Sequence, residues 1–392
     1  MKKPNKKRKL KRVLPNPKNL FHSKIDSETY NKQYEDMAKG KTKNKKKFKK
    51  ILIIAVSVFL AIVLLLGSAF AYLYYNGKLQ FNQDHEEITI PADLVQQNGD
   101  TVESDGVKYV YDKDVETILL LGIDKDSSSQ IKTDKYGTAG QADAIYLACI
   151  DNKDKHYTIL QINRDSMIDV DTYSTSGQFS GIKNMQACIS FAYGDGKEKS
   201  CQNTKKAISR LLFNIPIDSY FSINKASIPL LNDIIGGVDV PVYDSNGNKT
   251  GEYNYLDGKE AYEYIHYRDT SKIDSNLVRL KRQTSYIKAF AAKFIERTKA
   301  DISTPVEMFE TVSIYSTTDL NTSKITYLTT NAFTGRNDFD IQFKSVPGKV
   351  IEGDGGYAEY IVDTKGLLKV VLDIFYDKVE TVPSTSTATT TK

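Results

Sequence analysis

The chain's 392 residues are 40% hydrophobic and 26% charged, enough apolar material for a sizeable core. Its formal charge of +5 conceals two unlike stretches: residues 1–50 carry 19 Lys or Arg against 4 Asp or Glu, leaving 35 basic and 45 acidic residues in the remainder. Three cysteines without a CxxC spacing and four scattered histidines argue against a zinc site, and no His-activated cysteine is in view for thiol catalysis.

Residues 1–50 hold too few apolar side chains for a core and read as a disordered basic tail. Such a tail suits nucleic acid, anionic lipid or an acidic partner, and its position decides among them. The block Lys45–Lys50 abuts Ile51–Tyr75, which are 25 residues without a charge, long enough for a bilayer-spanning helix. A cleavable signal peptide starts nearer residue 1 and has a shorter apolar region, so 51–75 reads as a retained single-pass anchor. The lysine excess keeps the N-terminus cytoplasmic and exports everything after Tyr75, with Tyr72, Tyr74 and Tyr75 at the outer interface. The tail is then a topology determinant attracted to anionic lipid, with no nucleic-acid partner. Residues 76–115 are polar and acidic and suggest an extracellular stalk, with a short strand at Val107–Tyr111. Residues 383–392 form a Ser/Thr-rich tail, which leaves 116–382 as the folded domain.

Within that domain the pattern alternates. Ile118–Leu121, Ala144–Ile150, Tyr157–Ile162 and Tyr220–Ile223 read as buried strands, and Asp151–Asp154 could turn the second into the third as a hairpin. Cys201–Phe213 and Ala226–Ile235 read as helices, the latter stopped by Gly236-Gly237, and Pro241 marks the extended Val238–Val242 as an edge. This predicts a layered α/β domain. Cys188 and Cys201 flank a polar loop and either form a disulfide in an oxidising exterior or stay as two thiols; Cys149 reads as a buried hydrophobe.

The polar candidates gather at strand and helix ends. Asp124 closes the first strand, Asp143 opens the second and Arg164 follows the third. Ligands of open α/β sheets collect at such ends. Lys183-Asn184 precede the segment ending Ala192-Tyr193-Gly194, and Asp257 is an N-cap for a short helix running to His266-Tyr267-Arg268. A long helix from Ser275 to about Lys299 places Arg279, Arg282 and Gln283 on one face of its first turns, beside an apolar stripe of Leu280, Ile287, Ala291 and Phe294. Cations there oppose the helix dipole unless an anion joins them.

The segments ILLLGID, GQAD, NRD, AYG, IIGGVDV, LDGKEAYEYIHYR and SNLVRLKRQ, in this order over roughly 116–300, resemble the LytR-CpsA-Psr family. The resemblance implies a three-layer α/β/α extracellular domain behind a single transmembrane helix. Its implied activity is Mg2+-dependent phosphotransfer, with Mn2+ an alternative ion: a teichoic acid or capsular glycopolymer moves from undecaprenyl pyrophosphate to peptidoglycan of a Gram-positive envelope. An apolar channel for the lipid tail is implied as well. By resemblance Asp124 and Asp143 hold the metal or act with Arg164 in catalysis, and Arg164, Arg268, Arg279, Arg282 and Gln283 bind the pyrophosphate. Three departures stand out: Gln141-Ala142 where the family has Arg-Ser, His266 where it has Arg, and Asn276 where it often has Asp. A lipid-pyrophosphate hydrolase and a non-catalytic envelope scaffold or transcription attenuator are the rival readings.

Overall fold

The computed structural model describes residues 27–81, 88–124, 136–267, 275–334 and 341–379. Packing divides the chain into two units, Met1–Phe70 and Ala71–Lys392. Helix α1 (Ser27–Phe81) includes Lys49–Phe81, which is long and apolar enough to cross a membrane. Its apolar side chains point outward on every side, as with Leu64 and Leu65, a pattern suited to lipid rather than to a protein core. The last turns of α1 belong to the second unit. There Tyr74 Oη donates to Asn331 Oδ1 at 3.0 Å and Asn76 Nδ2 to Ser323 Oγ at 3.2 Å.

Three short strands follow: β1 (Gln96–Asn98), β2 (Thr101–Ser104) and β3 (Val107–Tyr111). They form an antiparallel meander, with Asp105 and Gly106 both at positive φ in the tight turn between β2 and β3. The stalk expected over 76–115 is corrected by this finding. Ile90, Val95 and Val102 are buried in the main core, and β3 pairs with the last described strand. The segment looks loop-like alone because the strand that completes its sheet comes from the far end of the chain.

The central sheet begins with β4 (Val115–Ile123), β5 (Ala142–Asp151) and β6 (Tyr157–Ile162). A ribbon of β7 (Met167–Tyr173) and β8 (Phe179–Gln186) leads through a 3-10 turn, Ala187–Tyr193, into α2 (Glu198–Leu211). Then come β9 (Ser219–Asn224), α3 (Ile228–Ile235), and a second ribbon of β10 (Val238–Tyr243) and β11 (Lys249–Leu256). Helices α4 (Gly258–His266), α5 (Ser275–Ala300) and α6 (Thr304–Val312) precede β12 (Ser316–Thr318) and α7 (Thr322–Phe333). The chain closes with β13 (Ile341–Ser345), a ribbon of β14 (Gly348–Glu352) and β15 (Ala358–Val362), α8 (Thr364–Phe375) and β16 (Tyr376–Lys378).

The six-stranded sheet runs β12-β9-β4-β5-β6-β13. β5 runs antiparallel to both β4 and β6, so the expected hairpin at 151–154 is present, while β4–β9 and β6–β13 are parallel. Side chains alternate faces along a strand. Leu119, Leu121, Ile145, Leu147, Leu160 and Ile162 therefore share one face and one core with α2 and α8, whose Cys201, Ile208, Val371 and Phe375 are fully buried. On the opposite face Tyr146 and Gln161 meet α5, Gln161 Nε2 donating to Thr284 Oγ1 at 3.0 Å. A second cluster joins α3, α4, α5 and α6 to the β10–β11 ribbon through Ile235, Val240, Ile265, Tyr286 and Met308. The architecture is a mixed α/β sheet with helices on both faces, as its pattern predicts. All three cysteines are buried and free, so of the two alternatives for Cys188 and Cys201 the molecule shows the thiols.

Candidate functional site

Asp143 owes its direction to an irregularity in β5. Gly122 pairs with Ala144 but Ile123 pairs with Ala142, so Asp143 is an extra residue bulged out of the ladder. In regular alternation Asp143 shares the face of Ile145 and Ile123 and enters the apolar core. Ala142, fully buried, takes that place instead. The freed carboxylate meets two guanidinium groups, one oxygen pairing with Arg164 and the other with Arg279 Nη1 at 3.7 Å. Both arginines are largely buried, with side-chain exposures of 15% and 7%, so the contacts work in a medium where charge attracts strongly.

The loop after β6 holds Arg164 from several directions. Asn163 Oδ1 accepts from Asp165 N, Arg164 O accepts from Cys188 N at 2.9 Å, and Asp165 O accepts from Tyr360 N at 2.8 Å. Gln141 Oε1 accepts from Arg164 Nη2 at 2.7 Å, and Asp165 Oδ1 lies 3.3 Å from Arg164 Nε. The Gln141 departure thus acquires a physical meaning: a neutral acceptor orients Arg164 where a third guanidinium would repel it.

Asp124 follows β4 and takes a separate cation. Lys225, directly after β9, places Nζ 2.9 Å from Asp124 Oδ1. That hydrogen bond holds the Asp124 carboxyl below the usual carboxylate range, against the upward push of partial burial, and His266 and Arg164 add to the lowering. His266 in turn is pushed toward the neutral form by burial, with Lys225 and Arg279 repelling its charge and Asp124 opposing them. Its Nδ1 lies 2.9 Å from Tyr262 O and its ring stacks on Tyr262 at 4.0 Å. The histidine is a packed, neutral-biased neighbour of the cluster rather than a replacement cation.

Arg282 and Gln283 turn elsewhere. Arg282 bonds the carbonyl of Tyr267 at the C-terminal end of α4 and lies over the Tyr267 ring at 4.9 Å; Gln283 Nε2 reaches Ile265 O at 3.4 Å. Cations at a helix C-terminus complement its dipole. Arg282 Nε and Gln283 Oε1 are buried without hydrogen-bond partners among the described residues, an arrangement that leaves polar capacity for a ligand. Arg268 lies outside the described residues, and so does the chain that separates it from α5. Of the residues singled out in the sequence, Asp143, Arg164 and Arg279 come together, Asp124 adjoins them through its field, and Arg282 with Gln283 form a second group on the same helix. Lys183 lies exposed on the β7–β8 ribbon. Lys225 was not anticipated, although the strand-to-polar transition that marks Asp124 also marks it.

Two carboxylates with no set of three His, Cys, Asp or Glu ligands among the described residues do not make a full protein cage. Both are paired with cations, Asp124 with Lys225 and Asp143 with Arg164 and Arg279.

A sheet with helices on both faces, with a carboxylate bulged toward two arginines at its strand ends, defines a layered α/β domain with a charged cluster at one edge. The LytR_cpsA_psr family model matches residues 74–372, and the chain belongs to that family. It is 28% identical over 309 residues to a polyisoprenyl-teichoic acid–peptidoglycan teichoic acid transferase TagU of Oceanobacillus iheyensis, covering 75% of this chain and 85% of that one. The TagU of Enterococcus faecalis is 25% identical, with 83% and 96% covered. The crystal structure of Bacillus subtilis TagV superposes with a TM-score of 0.51 at 19% identity over 67% of this chain and 96% of that one, a likeness of fold.

Proposed function

We propose that this protein transfers a phosphate-linked glycopolymer from an undecaprenyl-pyrophosphate carrier to a hydroxyl of peptidoglycan. The observation that carries this reading is Asp143 bridging Arg164 and Arg279 at the sheet end, beside the Asp124–Lys225 pair. A pyrophosphate diester resists attack because its oxygens repel a nucleophile, and guanidinium groups remove that obstacle by bidentate contact. In the free protein Asp143 supplies the anion that the arginines require. An arriving pyrophosphate takes over Arg164 and Arg279 and releases the Asp143 carboxylate to accept the proton of the attacking sugar hydroxyl. The acceptor oxygen bonds the phosphorus of the glycopolymer, the P–O bond to the carrier phosphate breaks, and polyprenyl phosphate leaves.

Of the two candidate metal ligands, Asp124 and Asp143, the first would hold Mg2+ or Mn2+, which would supply charge neutralisation at the phosphates, while Asp143 takes the proton. Helix α1 would anchor the chain with residues 1–50 in the cytoplasm and the domain outside. Protease added to protoplasts should then remove the domain and spare the basic tail; protection of the domain contradicts export. The catalytic test uses the full chain in detergent micelles with a synthetic lipid-pyrophosphate sugar, Mg2+ and a glycan acceptor. The joined product is expected. Release of the sugar phosphate only to water, with acceptor in excess, makes the protein a hydrolase; no turnover at all makes it a scaffold.

A further inference from the structure

A cavity of about 1080 Å3 opens between α2, the start of β9 and the β7–β8 ribbon, away from the residues just assigned. Tyr136, Tyr173, Tyr193 and Tyr220 line it together with Lys199 and Lys205. Tyr136 and Tyr173 pack at 5.6 Å, and Lys199 Nζ lies 5.9 Å from the Tyr136 ring centre. The ring of Tyr136 rests on Gly177, at φ +80°, where a Cβ would come within 2.9 Å of it, so the aromatic wall depends on that glycine. Two further cations at the rim, Lys206 and Arg210, are already engaged by the buried Asp171 at 2.7 and 3.0 Å. Among the described residues Glu198 is the sole carboxylate in the lining. Lys199 and Lys205 therefore add positive charge to the lining; burial lowers the proton affinity of Lys205, with Asp319 and Asp218 opposing that and Lys324 adding to it.

Aromatic faces beside ammonium groups suit a ligand that alternates apolar sugar or polyol faces with negative charge. We propose that this cavity binds the phosphodiester-linked repeats of the glycopolymer, downstream of the reacting phosphate. The inference rests on the transferase reading above and deepens it by naming where the polymer chain lies. The volume is at the upper end of the roughly 300–1,000 Å3 of small-ligand pockets, room for more than one repeat. The cavity is also in chain contact with the central cluster. The seven Cα–Cα steps from Tyr136 to Asp143 span at most about 25 Å when extended. Gly137 N donates to Ala192 O and Cys188 N to Arg164 O, so one 3-10 turn braces both places. A glycan without phosphate leaves the lysines unmatched, which sets an anionic polymer ahead of a neutral strand.

The test is calorimetric titration of the full chain in detergent micelles with lipid-free glycerol-phosphate oligomers, a neutral chitin-type oligosaccharide of equal length, and inorganic phosphate. The oligomers should bind best, with affinity falling as salt rises. Lys199→Glu should weaken them at least tenfold and Tyr136→Leu severalfold at unchanged melting temperature, while Lys259→Glu, a charge reversal at an exposed lysine outside the lining, should stay within twofold of the unsubstituted protein. Equal binding of the neutral oligosaccharide or of inorganic phosphate overturns the proposal, as does full affinity in Lys199→Glu. Loss of binding in Arg164→Gln equally overturns it by placing the oligomer in the central cluster. Because no lipid donor is present, these outcomes stand whether or not transfer is observed.

Discussion

The two ends of β4 carry acids with opposite habits. Glu116, at the start, is 6% exposed, and burial pushes its carboxyl up to about 7, with the Tyr327 hydroxyl opposing weakly and one oxygen unpartnered among the described residues. Asp124, just past the other end, is half exposed and held below its ordinary range by Lys225. Both are carboxylates on one rigid strand, yet one is biased toward the neutral form and the other toward the charged form. The difference lies in what the neighbouring strands deliver: β9 brings a lysine to its C-terminal end, whereas α7 brings a phenol to the start of β4. A carboxylate's identity says little about its role until the cation beside it is known.

The largest expected effect lies at the charged end. Asp143→Asn or Asp124→Asn should preserve the fold and lower turnover on the order of a hundredfold or more, about 2.7 kcal/mol in barrier. Asp143→Asn should also leave lipid-pyrophosphate binding intact or tighter without metal, since the arginines lose their internal anion. Activity retained in both variants would erase the functional half of the contrast.

At the neutral end the effect is on stability. Glu116 binds a proton more tightly folded than unfolded, so stability should be fullest below about pH 4.5 and decline as pH rises toward 7. The span is on the order of 3 kcal/mol, at 1.36 kcal/mol per pKa unit. Glu116→Gln should flatten that decline and raise the melting temperature at pH 7.5. A Gln variant less stable than the unsubstituted protein at pH 7.5 would show that the charged form is the native one.

The smallest effect belongs to Lys225. Lys225→Met should move the acid limb of the pH–turnover profile to higher pH, because Asp124 loses the hydrogen bond that keeps it ionised. An unmoved limb would mean that Asp124 does not titrate in the productive complex.

Much of the domain was legible in the sequence because its signals are local. The apolar runs of β4, β5 and β6 have partners close in sequence, Gly236 stops α3 in a left-handed conformation at φ 83°, and Asp257 caps α4 through a reciprocal box with Glu260. Residues 88–111 were misjudged because their burial comes from β16 and α8. Within the site, Arg164 and Arg279 could be anticipated from strand and helix ends, whereas the pairing of Lys225 with Asp124 arises from the parallel β4–β9 register, which joins residues 101 positions apart. The separate orientation of Arg282 follows from where α4 ends. Helical spacing alone cannot report that.

The bulge at Asp143 makes the site depend on residue parity. A strand assigns its side chains to faces by counting in twos, and the single added residue in β5 changes the count for everything upstream of Ala144. Deleting Ala142 would therefore not merely shorten a loop. It would restore the regular ladder, set Asp143 opposite Ile123 and drive the acid among Ile145 and the surrounding apolar side chains. In evolutionary terms, point substitutions can adjust this site gradually, whereas a one-residue deletion there removes its acid in one step while every residue that touches the ligand remains in the sequence.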